Sequence, residues 1–228
     1  MRLVSTDLTS GNGDLPDPKE AAARVVGALA YALLRVFQLS AAASAWAPTL
    51  TLRERQAAFA VEEFERYGIL RRRLATMTQD AEGAMSQFRG PLDAFFDAAP
   101  ASDWLEAQVF QYIGDAISTD FAELIAPHLD DKTAAAVRDG LAGRAAHEAF
   151  ALEQILSILG ADAEAEGRVA AVTGAIVGNA LGRLREAIID SDALAVVLGG
   201  EDQVKDLVLE LLGRHRERLE RLGLDRVD

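Results

Sequence analysis

The chain has no cysteine among its 228 residues. That excludes disulfides, thiolate metal ligands and a thiol nucleophile. It has only three histidines, His128, His147 and His215, so any metal site can draw on one or two imidazoles. β-Strand patterning is nearly missing. The opening stretch, MRLVSTDLTSGNGDLPDPKE, lacks the basic region and apolar run of a signal peptide. No run of about 18 apolar residues is free of charge, so no membrane span is expected. The longest apolar candidate, Val25 to Phe37, is short and contains Arg35. Positive charge is also scarce, with a formal net charge of −13. A chain that grips phosphate backbones carries a basic footprint, and this one has none overall, so nucleic acid is an improbable partner. No glycine-rich phosphate loop precedes a strand, and no Ser/His/Asp arrangement is visible. These exclusions describe a cytoplasmic protein outside the membrane.

What the chain does contain is alanine, leucine and arginine in helical periodicity. Six helices can be read from apolar spacing and end signals. The first runs from Pro18 to Ala45, with Val26, Leu29, Leu33, Val36 and Phe37 on one stripe. The second runs from Thr51 to Thr78, with Leu52, Phe59, Leu70, Leu74 and Met77 on its seam. The third opens at the cap pair Ser102-Asp103 and ends at Ala126. A fourth is expected from Asp130-Asp131 to Leu159, a fifth from Asp162 to Ile189 and a sixth from Gln203 to Leu222. In the long connection between the second and third, Pro91 to Phe96 reads as a short helical turn that packs Phe95 and Phe96 on the bundle.

Short connections make sequential helices antiparallel neighbours. The expected fold is therefore all-α: an antiparallel four-helix bundle with two additional C-terminal helices forming a hairpin alongside. Residues 1–16 read as a disordered segment and residues 17–228 as one domain. The fifth helix holds Gly174, Gly178 and Gly182 at four-residue spacing. Glycine weakens a helix, so such a face points to a close backbone approach, either an internal crossing or a seam between copies of the chain. The arginine clusters 71–73 and 214–221 lie near helix ends and read as solvated faces favoured by the helix dipole. His128 and His215 read as ordinary surface residues, and Trp46 and Trp104 as packing anchors.

Charged residues on the inner stripes are the candidates for chemistry. A dimetal four-helix bundle takes one Glu from each of two helices and a Glu-x-x-His pair from each of the other two. Glu63 falls on the seam of the second helix, and Arg66 stands three residues on, where the imidazole would be. His147 lies by the inner stripe of the fourth helix marked by Val137, Leu141, Leu152 and Ile155, and Arg144 stands where its acidic partner would be. The third helix offers Asp120, with Glu106 and Asp115 as further candidates. The first helix has Leu33 and no acid. Glu63 can be read as a half-exposed glutamate, a surviving metal ligand or a buried ion-pair partner. His147 can be a structural residue or a ligand.

Several segments carry a resemblance: Gly27-Ala28-Leu29-Ala30-Tyr31, Pro48-Thr49-Leu50, Leu70-Arg71-Arg72-Arg73-Leu74, Pro91-Leu92-Asp93-Ala94-Phe95, Ser102-Asp103-Trp104-Leu105-Glu106 and Tyr112-Ile113-Gly114-Asp115-Ala116-Ile117. Together, over residues 25–220, the chain resembles an actinobacterial ferritin-like family related to the tRNA methylthio-isopentenyl-adenosine hydroxylases. The resemblance implies a ferritin-like fold and, in intact members, a non-haem di-iron centre that uses O2. Carried over residue by residue, the ligand set is broken. Glu63 and His147 match, whereas Leu33, Arg66 and Arg144 stand at ligand positions. Arginine stays protonated and cannot ligate a metal, but it can supply the positive charge a metal would have supplied.

The expectation is a degenerate dimetal site in which Glu63 pairs with Arg66 or Arg144, in a non-catalytic scaffold or partner-binding module with no cofactor. Its partner would be another protein, or a second copy through the Gly174/Gly178/Gly182 face. The alternative is a di-iron O2-dependent hydroxylase with two iron ions held by Glu63, Asp120 and His147.

Overall fold

A computed structural model describes residues 15–97, 100–162, 164–184 and 192–223, with the backbone alone at 179–184. Every regular element among them is helical. Helix α1 (Pro18–Ala43) starts at Asp17, whose carboxylate accepts from the Lys19 amide, with Pro18 at the first helical position. A 3₁₀ turn, Ser44–Trp46, and Pro48 end it. Thr49 then caps α2 (Leu50–Met77) by accepting from the Leu52 amide. The two helices run antiparallel. Ser40 meets Gln56 near their joint, while Val26 and Leu29 share a core with Leu70 and Leu74 at the far end.

Two short helices fill the following connection, α3 (Ala81–Ser86) and α4 (Arg89–Phe96). As expected, Phe95 and Phe96 are buried there, beside Phe110. The close backbone approach is at Gly27 on α1. A Cβ at Gly27 would stand 2.3 Å from the Ala84 carbonyl oxygen of α3. The glycines of the fifth helix behave otherwise. Gly174 and Gly178 are exposed, and a Cβ at either meets nothing within 4 Å among the described residues, so neither marks a crossing with them. The side-chain surroundings of Gly182 lie outside the described residues, as do residues 1–14 of the segment expected to be disordered.

The third long helix is a continuous run interrupted by a π turn: α5 (Trp104–Val109), the turn Phe110–Gly114 and α6 (Asp115–Ile125). Asp103 accepts from the Glu106 amide while Glu106 accepts from the Ser102 amide, a reciprocal N-terminal cap. That places Glu106 at the helix end, away from the bundle centre. Trp104 is buried edge-on against Phe150, whereas Trp46 is 38% exposed.

The fourth helix, expected as one, is two: α7 (Asp131–Leu141) and α8 (Arg144–Leu159). Gly143 adopts φ 81°, a left-handed conformation that ends a helix. The break leaves the Ala142 carbonyl without a helical partner, and a side chain takes it up, as described below.

Helices α9 (Ala165–Leu184), α10 (Asp192–Leu198) and α11 (Glu201–Arg221) complete the helices of the described residues. The segment that would turn the expected C-terminal hairpin, residues 185–191, lies outside the described residues, while Leu219 and Leu222 at the end of the last helix share an apolar cluster with Val169 and Ile176 of α9. Helix α9 lies on α4, α5 and the π turn, while α10 and α11 lie on α1 and α6.

The core falls into two large apolar clusters. One joins the first half of α1, the last half of α2, α6, α7, α10 and α11. The other joins the second half of α1, α4, α5, the π turn, α8 and α9. Along the four bundle helices, buried polar residues sit where the chain passes between apolar clusters: Ser40 on α1, Glu63 on α2, Asp115 on α6 and His147 on α8. Helix α1, extended through Trp46, is long and apolar enough to cross a membrane by length and composition, beyond what its charge pattern led us to expect. In its most apolar window 56% of the residues are buried inside the bundle, as in a core helix.

Candidate site: a buried centre of arginines and carboxylates

Glu63 occupies the middle of the polar layer and is 1% exposed. One carboxylate oxygen, Oε1, accepts from Arg66 Nη1 at 2.6 Å, and the other, Oε2, accepts from Arg144 Nη1 at 2.9 Å. His147 Nδ1 lies 3.0 Å from Oε1. The second nitrogen of the Arg144 fork pairs with Asp115. Thus a single carboxylate is clasped by two guanidiniums from different helices, and one of those guanidiniums is clasped by two carboxylates.

Each member is held in place from outside the pair. Arg66 donates through Nε to the Ala142 carbonyl at 3.0 Å, the group freed by the break between α7 and α8. Its Nη2 donates to Glu62 at 3.0 Å. His147 Nε2 lies 2.9 Å from the same Glu62 oxygen, and the ring packs on Phe59 with centroids 3.9 Å apart. A Cβ on Gly143 would stand 2.9 Å from Arg66 Nη2, so the glycine serves both the left-handed turn and the arginine beside it.

The electrostatics follow from this packing. Burial pushes the Glu63 carboxyl up, but Arg144, His147 and Arg66 together outweigh burial and hold it below its ordinary range. For Asp115, burial dominates and raises the carboxyl despite Arg144, with Glu63 adding to the rise. Arg144 is fixed in its charged form: burial opposes the charge, and Asp115 and Glu63 restore it. Charges taken out of water are tolerated only where such partners are in place.

A cavity of about 400 Å³ opens beside the centre. Glu63, Asp115 and Arg144 line it, and so does a second ion-pair node formed by Asp120, Arg214 and Arg218. Asp120 is buried and takes both ends of the Arg218 fork, with Arg214 Nη1 at 3.3 Å. Nearby, Gln108 Nε2 donates to Gln56 Oε1 at 3.1 Å, and Gln56 Nε2 to Ser40 Oγ at 2.8 Å, extending the polar layer between helices.

Two metal ions do not fit these residues. At three of the positions where the resemblance would put metal ligands stand Leu33, Arg66 and Arg144, none of which ligates a metal. Two protonated guanidiniums fill the space around the one central glutamate. Leu33 is in the right neighbourhood, since it and Arg144 line one small void of about 20 Å³. Among the described residues, no three His, Cys, Asp or Glu side chains are arranged to hold a metal ion.

A sequence profile described as "Ferritin-like domain, actinomycetes" matches residues 17–201. The chain belongs to this family of actinomycete ferritin-like domains. A search of curated proteins finds no match.

Within this ferritin-like domain, the structure brings Glu63, Arg66, Arg144 and His147 together and leaves Asp120 out, because Arg218 and Arg214 hold it. The α6 carboxylate at the centre is Asp115, at the end of the π turn; π turns inside α-helices often coincide with functional sites. Sequence reading also missed Glu62 and the inward turn of Arg214 and Arg218. A signal for Arg218 was present: Val204, Leu207, Leu211, His215 and Arg218 continue one helical stripe, and all five are buried. The expected surface arginine and surface histidine are therefore core residues. His128 is exposed, as expected.

Proposed function

We propose that this ferritin-like domain is a metal-independent scaffold or binding module, in which arginines hold the charges that a dimetal centre would otherwise hold. The observation that carries the reading is Glu63, 1% exposed, with guanidinium nitrogens at 2.6 and 2.9 Å. Its resemblance to tRNA-modifying hydroxylases is then a relation of descent, with the redox centre replaced by a salt-bridged one. The acidic charge supports a protein or small-molecule partner over a nucleic acid. The open surface at Gly174 and Gly178 supports a face for a protein partner or a second copy. We place the protein in the cytoplasm, in keeping with its lack of cysteine.

A second reading is a non-haem di-iron, O2-dependent hydroxylase, favoured by the π turn beside Asp115 and by the cavity that reaches it. The metal content of protein purified from iron-supplemented cells separates the two. The scaffold reading expects no stoichiometric iron, and two irons per chain would overturn it.

A further inference from the structure

Helix α2 carries an apolar stripe that the bundle does not use. Its buried residues, among them Phe59, Glu63, Leu70 and Leu74, face inward. On the opposite side Leu50, Val61 and Phe64 are 76, 59 and 50% exposed. Phe64 is not isolated: its ring centroid lies 5.1 Å from that of Phe37 on α1 and 5.6 Å from that of Tyr67. Single exposed apolar residues are ordinary, but a joined patch of aromatic and branched side chains marks a surface that meets another molecule. Ala57 and Gly68 extend the stripe without bulk, and a Cβ at Gly68 would meet only the Arg72 side chain among the described residues.

The spacing identifies the kind of partner. Positions 50, 54, 57, 61, 64, 68, 71 and 75 alternate steps of four and three, the pattern of a seam between two helices. The charges in the seam are Glu54 toward its start and Arg71 toward its end, and neither is hydrogen-bonded or ion-paired among the described residues. Turned end for end, the series matches itself. Val61 then meets Phe64 of the other copy, Ala57 meets Gly68, and Glu54 meets Arg71. Bulk falls at the centre, small residues on either side allow close approach, and opposite charges close both ends. A parallel copy would instead set Glu54 against Glu54 and Arg71 against Arg71. The other charged residues around the seam are held elsewhere or stand beside it. Glu62 turns to Arg66 and His147, Arg53 donates to the Ala45 carbonyl, and Arg55 lies over the Phe150 ring. Glu65 and Arg72, two turns apart, flank the seam on one side.

We propose that two copies of the chain dimerise through the outer face of α2, antiparallel about a two-fold axis between Val61 and Phe64. A two-fold contact uses the same patch on both copies, so one sequence supplies both the acid and the base. The surface lies on the side of α2 away from Glu63, and dimerisation does not depend on what the buried centre holds.

Sedimentation equilibrium of the full-length protein tests this, and we expect a dimer. Val61→Asp sets a carboxylate against Phe64 of the other copy, twice per dimer. It should raise the dimer dissociation constant at least about tenfold with helical circular dichroism unchanged. Leu209→Asp, on the exposed side of α11, should leave the dimer intact. Glu54→Arg and Arg71→Glu should each weaken it, and the two combined should restore it, because the pair is then only exchanged. Should Val61→Asp fail to fold, that exchange decides. The chain lacks cysteine, so Ala57→Cys with Gly68→Cys reads the register. Oxidation should link two chains, since eleven residues of helix keep the two positions apart within one chain. A monomer at every concentration overturns the proposal. So does a dimer that tolerates Val61→Asp, one that Gly178→Leu breaks instead, or a pair of charge variants that weaken it and do not rescue each other.

Discussion

Glu63 and Arg144 are 81 residues apart in the chain and meet at 2.9 Å in the centre of the bundle. The contact joins α2 to the first residue of α8. It is possible only because the helix breaks at Gly143, letting Arg144 begin a new helix with its side chain turned inward. One glycine thus sets the position of Arg144 and frees the Ala142 carbonyl that anchors Arg66.

If the Glu63 carboxylate balances two buried guanidiniums, its removal strands them. Breaking a buried ion pair from one side costs about 3–5 kcal/mol. Glu63→Ala should therefore lower unfolding stability by that order in urea melts, and Glu63→Gln by less, since an amide oxygen can still accept from Arg66 or Arg144. A loss within about 0.5 kcal/mol, the range of ordinary surface substitutions, would show that the centre is not a stabilising network.

His215 should make the folded chain sensitive to mild acid. It is buried, and neither ring nitrogen has a hydrogen-bond partner among the described residues. Burial and then the nearby Arg218 lower its pKa from 6.5, with Asp120 opposing. The unfolded chain therefore binds a proton on His215 that the folded chain resists. Stability tied to this group is present above about pH 6.5 and is lost as pH falls from there toward the lowered folded value. The urea midpoint should drop between pH 7.5 and pH 5.5, and His215→Phe should flatten that drop. Parallel pH profiles for the two proteins would show that His215 does not titrate on unfolding.

The glycines carry opposite expectations. Gly27→Ala places a methyl 2.3 Å from the Ala84 carbonyl oxygen, and backbone cannot yield as a side-chain tip does. Forcing extra volume into a packed contact costs about 1–3 kcal/mol. At Gly178 the space is open, so Gly178→Ala should leave the fold intact and add up to about 1 kcal/mol from helix propensity. Any effect of Gly178→Leu should appear in sedimentation, as a change in self-association, and not in the unfolding transition.

The contrast between these glycines shows what the sequence makes legible. Periodicity identified the bundle helices and the buried stripe Val26, Leu29, Leu33 and Val36, because an amphipathic repeat is a local property of the chain. The four-residue glycine spacing on α9 was equally visible but says nothing about what faces it. Gly27 shows no such pattern, and only the docking of α3 creates its constraint. Glu63, Arg66, Arg144 and His147 were legible because each stands at a fixed spacing on an inner stripe. Asp115 was harder, since the π turn shifts the helical phase that places it at the centre. Arg218 was read from its neighbours in sequence, as part of a basic run, when its place on the stripe of Leu207 and Leu211 was the stronger cue. The break at Gly143 had a local signal, two glycines within four residues, that the continuous apolar pattern of the fourth helix masked.

The metal-replacement reading makes its strongest prediction in reverse. Arg66→His would build a Glu-x-x-His pair with Glu63, and Arg144→Glu one with His147. Leu33→Glu would put a carboxylate on α1 beside Arg144's position, where the two residues share a void. With Asp115 already present on α6, all four bundle helices then contribute acidic ligands. Two guanidiniums are lost and two carboxylates gained, a change of four charge units that two divalent ions return. Without metal, the triple variant should be much less stable than the parent, because its carboxylates face one another in a buried layer. With ferrous iron under anaerobic conditions, binding to the folded state should raise its melting temperature in proportion to the logarithm of metal concentration. The parent should show no such shift. A triple variant that folds and takes up no iron would show that the geometry around Glu63 is not that of a former dimetal site. Iron bound by the parent at the same stoichiometry would show that the arginines never replaced it.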